Sequence, residues 1–446
     1  MQGDTDWEFV NVGEQQSFGI RTAGLEEKTT ACQMLVCYAR ELKEGFSEYA
    51  EEVVKITVPL LKFYFEDDIR IAAAESLPYL LDSAKIKGDQ YVAEMWNYIC
   101  PNLLKAIDIE PEQSVLPEHL HSLSKCIEKL GKGCLSAENM NLLMTLIERY
   151  MKKHFSKQEE RHEKRKDEDY DEDLEEDLLD EDDADTYILS KISDIIHSIF
   201  GTHQEEFLPL FEQLLPLFVK LIGPDQPWPD KQWGLCIWDD VIEHTGPHSA
   251  KYTQYFLSNL MGFICDKQPE LRQAAAYGVG VMAKFGGDVY ASTCAEAIPL
   301  LVKTIQEPES RSPENINPTE NAISAIAKIC KHNNSLINVN DVLPMWFSWL
   351  PVWEDEDEAE PVYNYMCDLI EMNHPLILGE NHQNLPRIVC IIAEAFHKEA
   401  VSSDDDVYTR MLNIVRQVEQ NPEVFQACIP LLTPDQQHTL HQALSS

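Results

Sequence analysis

Residues 266–276 read Asp266-Lys267-Gln268-Pro269-Glu270-Leu271-Arg272-Gln273-Ala274-Ala275-Ala276, and the six from Leu271 return in similar form as Ile69-Arg70-Ile71-Ala72-Ala73-Ala74. An aliphatic residue, an arginine and a run of alanines describe a helix whose small side chains let a neighbouring helix approach closely. A second marker is an aliphatic residue followed by proline and two mostly apolar residues. It occurs at Val58-Pro59-Leu60-Leu61, Leu215-Pro216-Leu217-Phe218, Ile298-Pro299-Leu300-Leu301, Leu343-Pro344-Met345-Trp346 and Ile429-Pro430-Leu431-Leu432, with a weaker copy at Cys100-Pro101-Asn102-Leu103. Positions 59 and 101, and 299 and 344, lie one step apart, whereas 216 and 299, and 344 and 430, lie two apart. The step is roughly 40 to 47 residues, the length of a two-helix HEAT unit.

Asp266, five residues before Leu271, completes the HEAT signature, in which a turn aspartate and a helix arginine hydrogen-bond along a ladder from repeat to repeat. Apolar residues recur at helical spacing almost throughout, and alternating strand-like runs are nearly absent. The sequence therefore predicts an all-α fold, a HEAT-repeat α-solenoid of stacked helix pairs, each covering the apolar face that its neighbour exposes. First helices are expected near Leu25, Asp68, Pro117, Asp185, Lys231, Glu270, Thr319, Pro361 and Asp405, giving about nine repeats and a short terminal helix from Pro434. The expected organisation is an acidic and polar segment over 1–23, about three repeats over 24–155, a charged insertion over 156–184, and about six repeats over 185–446.

The insertion is the most unusual stretch. Seven Lys or Arg residues occupy Lys152 to Lys166, and fourteen of the nineteen residues from Asp167 to Asp185 are acidic. A helix is expected to run out through the basic part and give way to a mobile acidic loop. Tyr170, Leu174, Leu178 and Leu179 interrupt the acids at a spacing that forms an apolar helical stripe when a partner binds. Smaller acidic runs lie at Glu354 to Glu360 and Asp404 to Asp406.

The 446 residues carry a formal net charge of −41, yet 44% are hydrophobic and 9% aromatic, enough for a folded core. Such a polyanion is repelled by phosphate backbones and anionic lipid, so neither nucleic acid nor membrane insertion is expected, and basic proteins become the favoured partners. Twelve cysteines with no C-x-x-C read as reduced, packed thiols, fitting cytoplasm or nucleus. The amino terminus shows no secretory signal or transit peptide.

No catalytic, cofactor or metal constellation emerges. Gly278-Val279-Gly280 sits inside a helical pattern and reads as close helix packing, and Gly286-Gly287-Asp288 reads as a turn. His119 and His121, two residues apart, fall on different helix faces and read as surface histidines. The carboxylate-rich insertion lacks the glycine and ligand order of an EF-hand loop. Trp346, Trp349 and Trp353 form a helical stripe expected to pack between repeats, interrupted by Pro351. A non-enzymatic binding protein is the resulting expectation. The expected partner contacts are Asp167, Glu168, Asp169, Asp171, Glu172, Asp173, Glu175, Glu176, Asp177, Asp180, Glu181, Asp182 and Asp183, together with Trp233, Trp238, Asp239 and Asp240.

Three segments carry a wider resemblance: WPDKQWGLCIWDDVIEHTGP from Trp228, LRQAAAYGVGVMAKFGGD from Leu271 and WEFVNVGEQQSFGIRTAGLEEK from Trp7. They resemble the importin-beta family of nuclear transport receptors over essentially the whole chain. The resemblance implies a superhelix that carries basic cargo, such as ribosomal proteins and histones, through nuclear pores. It also implies binding of FG-repeat nucleoporins, cargo release by the GTP-bound GTPase Ran, and shuttling between cytoplasm and nucleus. The chain looks like the carboxy-terminal part of such a receptor, so the Ran contact that the family places in its amino-terminal repeats is expected to be weakened or lost. A HEAT scaffold, or an acidic chaperone of histones or ribosomal proteins without transport activity, are the alternatives.

Overall fold

A computed structural model describes residues 7–11 and 17–445, with side chains from Leu25 onward. The chain divides into two compact units, residues 1–220 and 221–446. The first opens with an antiparallel hairpin, β1 (Trp7–Asn11) and β2 (Ser17–Arg21), in which Phe9 pairs with Gly19. The rest of the described chain is helical as expected, and this hairpin lies in the segment set apart from the repeats. It precedes α1 (Thr22–Leu42), α2 (Ser47–Leu60), α3 (Asp67–Ala84), α4 (Asp89–Ile109), α5 (Leu116–Leu130), α6 (Ala137–Lys164), α7 (Glu172–His203) and α8 (Leu208–Leu221). The second unit continues with α9 (Trp228–Thr245), α10 (Thr253–Phe263), α11 (Pro269–Phe285), α12 (Ala291–Ile305), α13 (Ile316–His332), α14 (Val339–Ser348) and α15 (Glu356–Glu371). It ends with α16 (Pro375–Leu378), α17 (Leu385–His397), α18 (Asp406–Glu419), α19 (Pro422–Cys428) and α20 (Pro434–Ser445).

Within the first unit α1, α3, α5 and α7 pack side by side as one layer, with α2, α4 and α6 behind them. In the second, α9, α11, α13, α15 and α18 repeat that layer. The alanine runs explain the close approach. Ala72, Ala73 and Ala74, like Ala274, Ala275 and Ala276, are buried, and Ser122 on α5 donates 2.6 Å to the Ala74 carbonyl on α3. Five of the six marker prolines lie inside helices, Pro59 in α2, Pro101 in α4, Pro216 in α8, Pro299 in α12 and Pro344 in α14, whereas Pro430 falls in the short 3-10 turn Ile429–Leu431 after α19.

The ladder differs from its expected form. Asp266 spends its carboxylate on the Gln268 amide at 2.9 Å, and Arg272 donates to the Asp266 and Lys267 carbonyls at 2.9 and 3.0 Å. Its remaining arm donates to the Asn315 side-chain oxygen of the next repeat, so the link between repeats is an arginine–asparagine pair. Arg70 does the same with a stronger partner, forking onto Glu110 at 3.1 Å from both Nε and Nη2 while Nη2 also meets Asp67 at 2.8 Å. His119, read as a surface residue, is fully buried beside this pair, its Nδ1 3.9 Å from Glu110. Helical spacing alone could not separate that inward face from the outward one occupied by His121.

Burial, reinforced by the nearby Arg70 guanidinium, pulls His119 down to about 4. Only the neutral ring suits the fold, so its contribution is whole above the ordinary histidine value and drains away as pH falls from about 6.5 toward 4. The loss over that window is about 3 kcal/mol. Arg70, Glu110 and Asp67 also face this cluster. Comparing denaturation midpoints at pH 7 and 4.5, His119→Leu should show a correspondingly shallower acid dependence than wild type.

Glu320 on α13 illustrates how a buried acid fixes a loop. Its two oxygens accept the amides of Trp353, Glu354 and Asp355 at 2.9, 2.8 and 3.1 Å, while Arg311 lies 3.6 Å away. The clamp holds the segment that leads into α15, whose N-cap Asp355 in turn accepts from Asn321 at 2.8 Å. Glu320→Ala strands three donors, and a loss of about 3 kcal/mol is expected in equilibrium unfolding.

Candidate interaction surfaces

The predicted loop is a helix. α6 runs through the basic segment as expected, a short turn follows, and Asp171 caps α7 by accepting the Leu174 amide at 2.9 Å. Residues 156–184 are thus the tip of a long antiparallel helix pair. The reason lies in side-chain register. Arg161 reaches Asp182 and Asp185, each at 2.6 Å, Lys157 reaches Asp185 at 2.7 Å, and Arg165 meets Glu175 and Asp182, each at 2.9 Å. The Arg165 hydrogen bond holds the Glu175 carboxyl below the usual carboxylate range. A charge run that repels itself in isolation is neutralised along one face by the basic helix that precedes it.

This pairing divides the fourteen acids. Glu175, Glu181, Asp182 and Asp185 are tied to α6. Asp167, Glu168, Asp169, Asp171, Glu172, Asp173, Glu176, Asp177, Asp180 and Asp183 are exposed and enter no ion pair among the described residues. The apolar residues divide likewise. Leu178 is buried and Leu174 half-buried, whereas Tyr170 and Leu179 remain 40% and 51% exposed. Tyr170 and Leu179 bracket a shallow groove of about 390 Å³, lined otherwise by Asp171, Glu172, Glu175 and Glu176. An anionic ridge with two exposed apolar side chains suits a basic segment carrying an apolar or aromatic residue.

The contacts expected on α9 are corrected. Asp239 and Asp240 are 2% and 7% exposed and cannot meet a partner from solution. Burial, with Asp240 and Glu243 adding repulsion, pushes Asp239 well above the usual carboxylate range. Its oxygen lies against Gly278, where an added Cβ would stand 2.4 Å away, so the glycine serves close packing as read. Trp238 is fully buried and stacks on Phe256 at 5.1 Å, and Trp233 is half-buried. The tryptophan stripe also breaks. Trp346 is buried and donates 3.1 Å to the Ile323 carbonyl, but α14 ends at Ser348 and Trp353 lies in the following loop between Arg311 and Lys398.

One surface of the second unit escaped sequence reasoning. A groove of about 300 Å³ is lined by Glu243, Tyr277, Lys284, Lys328, Asp357, Glu358 and Glu360. Tyr277 donates 2.9 Å to Glu243, and Lys328 forks onto Glu358 at 2.7 and 2.9 Å while lying 5.4 Å from the Tyr277 ring. Asp357 and Glu360, which enter no ion pair among the described residues, leave the groove anionic. The Glu354–Glu360 run marked one wall. Glu243 and Tyr277 come from distant helices with no local signal. Among the described residues, no helix is long and apolar enough to cross a membrane.

Residues 115–224 match the family description "Importin repeat 6" and residues 355–405 match "Importin repeat". Importin subunit beta-3 of Saccharomyces cerevisiae is 27% identical over 402 residues, covering 89% of this chain and 36% of that protein. A probable importin-5 homolog of Dictyostelium discoideum is 24% identical over 408 residues, covering 85% of this chain and 37% of that protein. The chain therefore spans little more than a third of the length of these relatives. The solved structure of the karyopherin Kap121p bound to the SUMO protease Ulp1p superposes with a TM-score of 0.80 at 23% identity, over 98% of this chain and 39% of that one. Kap121p has also been solved bound to RanGTP and to Nup53p.

Proposed function

Starting from a chain that carries importin repeats and matches importin relatives over most of its own length, we propose that it is the cargo-engaging part of a nuclear import receptor. The observation that carries this reading is the ridge of ten exposed, unpaired carboxylates along the tip of the α6–α7 pair. Basic proteins, with histones and ribosomal proteins as the expected class, dock there by charge complementarity, with Tyr170 and Leu179 taking an apolar side chain. At physiological ionic strength the screening length is only about 8 Å, so the ridge acts at contact or near it. The anionic groove at Glu243, Asp357 and Glu360 is a second place for basic side chains.

The partners named in the Kap121p structures extend the proposal to FG-type nucleoporins and to GTP-bound Ran, with shuttling between cytoplasm and nucleus as the consequence. Ran binding by this chain alone is expected to be weaker than by a receptor nearly three times as long. A pull-down with the full 446-residue chain as bait tests the reading, using an FG-repeat nucleoporin fragment, GTP-loaded Ran and a core histone. Retention of histone and FG fragment supports it. Retention of histone without any FG binding overturns the transport part, and loss of both overturns it entirely.

A further inference from the structure

We infer that Ser312 is a phosphate-acceptor site for a proline-directed protein kinase, and that the phosphate it carries is captured by Arg272 of the preceding repeat. The inference does not depend on the transport reading. The chain has two Ser/Thr-Pro steps, Ser312-Pro313 and Thr433-Pro434. Ser312, itself half-buried, lies in the largely exposed connection between α12 and α13, which holds Pro308 and Pro313, belongs to no helix, and folds back in successive turns.

What sets Ser312 apart is where its hydroxyl leads. Asn315 Nδ2 donates 2.9 Å to Ser312 Oγ, and the Asn315 side-chain oxygen accepts from Arg272 Nη2. The hydroxyl is therefore one amide group away from the guanidinium that links this repeat to the one before. Next to it, Arg311 ties the same connection to the Trp349 carbonyl. A cleft of about 540 Å³ opens beside these groups, lined by Lys267, Arg272, Ser310, Asn315 and Thr319. Lys267, Arg272 and Arg311 supply positive charge, and Asp266, Glu307, Glu309 and Glu314 oppose it.

In the reaction, Ser312 Oγ forms a bond to the γ-phosphorus of ATP held by the kinase. The bond from that phosphorus to the β,γ-bridging oxygen breaks, ADP leaves with the electron pair, and the hydroxyl proton passes to the kinase's base. The product has about two negative charges and three acceptor oxygens where a neutral hydroxyl stood. Those oxygens reach the Nη2 that now serves Asn315, and replace a neutral acceptor with a charged one. The modification thus converts the arginine–asparagine rung between α11 and α13 into an arginine–phosphate rung.

The test treats the full chain with a proline-directed kinase and ATP, maps the products by mass spectrometry, and follows the phosphoserine by ³¹P NMR across pH. Ser312 should be modified, and Ser312→Ala should lose that product alone. The phosphoserine should titrate at least about half a unit below its ordinary value near 6, returning toward it in Arg272→Gln. Modification of Thr433 but not Ser312 overturns the assignment. A Ser312 phosphate that titrates at its ordinary value, unchanged in Arg272→Gln, overturns the capture.

Discussion

Arg161→Ala is expected to release the outer part of the α6–α7 pair at a cost of about 3 kcal/mol, because it leaves the buried Asp185 carboxylate without its main partner. Arg161 is 1% exposed and spans Asp182 and Asp185, and Asp185 itself is 4% exposed, so water cannot substitute for the lost guanidinium. Lys157 remains on one Asp185 oxygen and Arg165 on one Asp182 oxygen, but neither bridges the two carboxylates as Arg161 does. Hydrogen exchange by mass spectrometry should show faster exchange over 156–190 with α1 to α4 unaffected, and Arg161→Lys should restore part of the protection. Unchanged exchange in Arg161→Ala would show that the ion pairs do not hold the helix.

The second large effect concerns binding. Reversing four outward acids, as Glu172→Lys, Asp173→Lys, Glu176→Lys and Asp177→Lys together, is expected to weaken binding of a histone by about 100-fold at low salt. Each reversal removes an attraction and adds a repulsion, and at roughly 0.5 to 1 kcal/mol per exposed contact the four reach that size. Thermal stability should fall only modestly, because these carboxylates enter no ion pair among the described residues and only Glu172 and Asp173, in the first turn of α7, favour the helix N-terminus. That contrast separates them from Glu175, Asp182 and Asp185, whose replacement loosens the helix itself.

The repeat was legible because stacking leaves a periodic trace. Alanines where helices touch and prolines inside helices recur along the chain, the prolines one or two repeat lengths apart, and each is a local requirement. Burial of individual side chains was less legible. Asp239 and Asp240 look like a solvent-facing pair, but both lie within the helix layer, where Gly278 leaves room for Asp239. His119 was hidden for the same reason, since helical spacing shows that two residues differ in face without showing which face is covered. The acidic stretch misled most. Its composition alone argues for disorder, and the neutralising arginines lie a helix earlier, so the fold emerges only when Arg161 and Arg165 are aligned with Asp182 and Glu175. Of the Glu243–Tyr277 groove only the Glu354–Glu360 wall had a sequence signal, because its other walls are brought together by the packing of α9, α11, α13 and α15.

The central claim is that the outward acids of α7, and not the carboxylates of α9, receive basic partners. It is tested most directly by titrating a fluorescently labelled histone into the full chain at several salt concentrations, with three forms compared side by side. Affinity should fall steeply with salt for wild type and for Asp239→Asn/Asp240→Asn, and should be weaker and fall less steeply with salt for the fourfold lysine variant, which keeps six of the ten ridge carboxylates. Equal affinity and equal salt dependence in wild type and the fourfold variant would contradict the account.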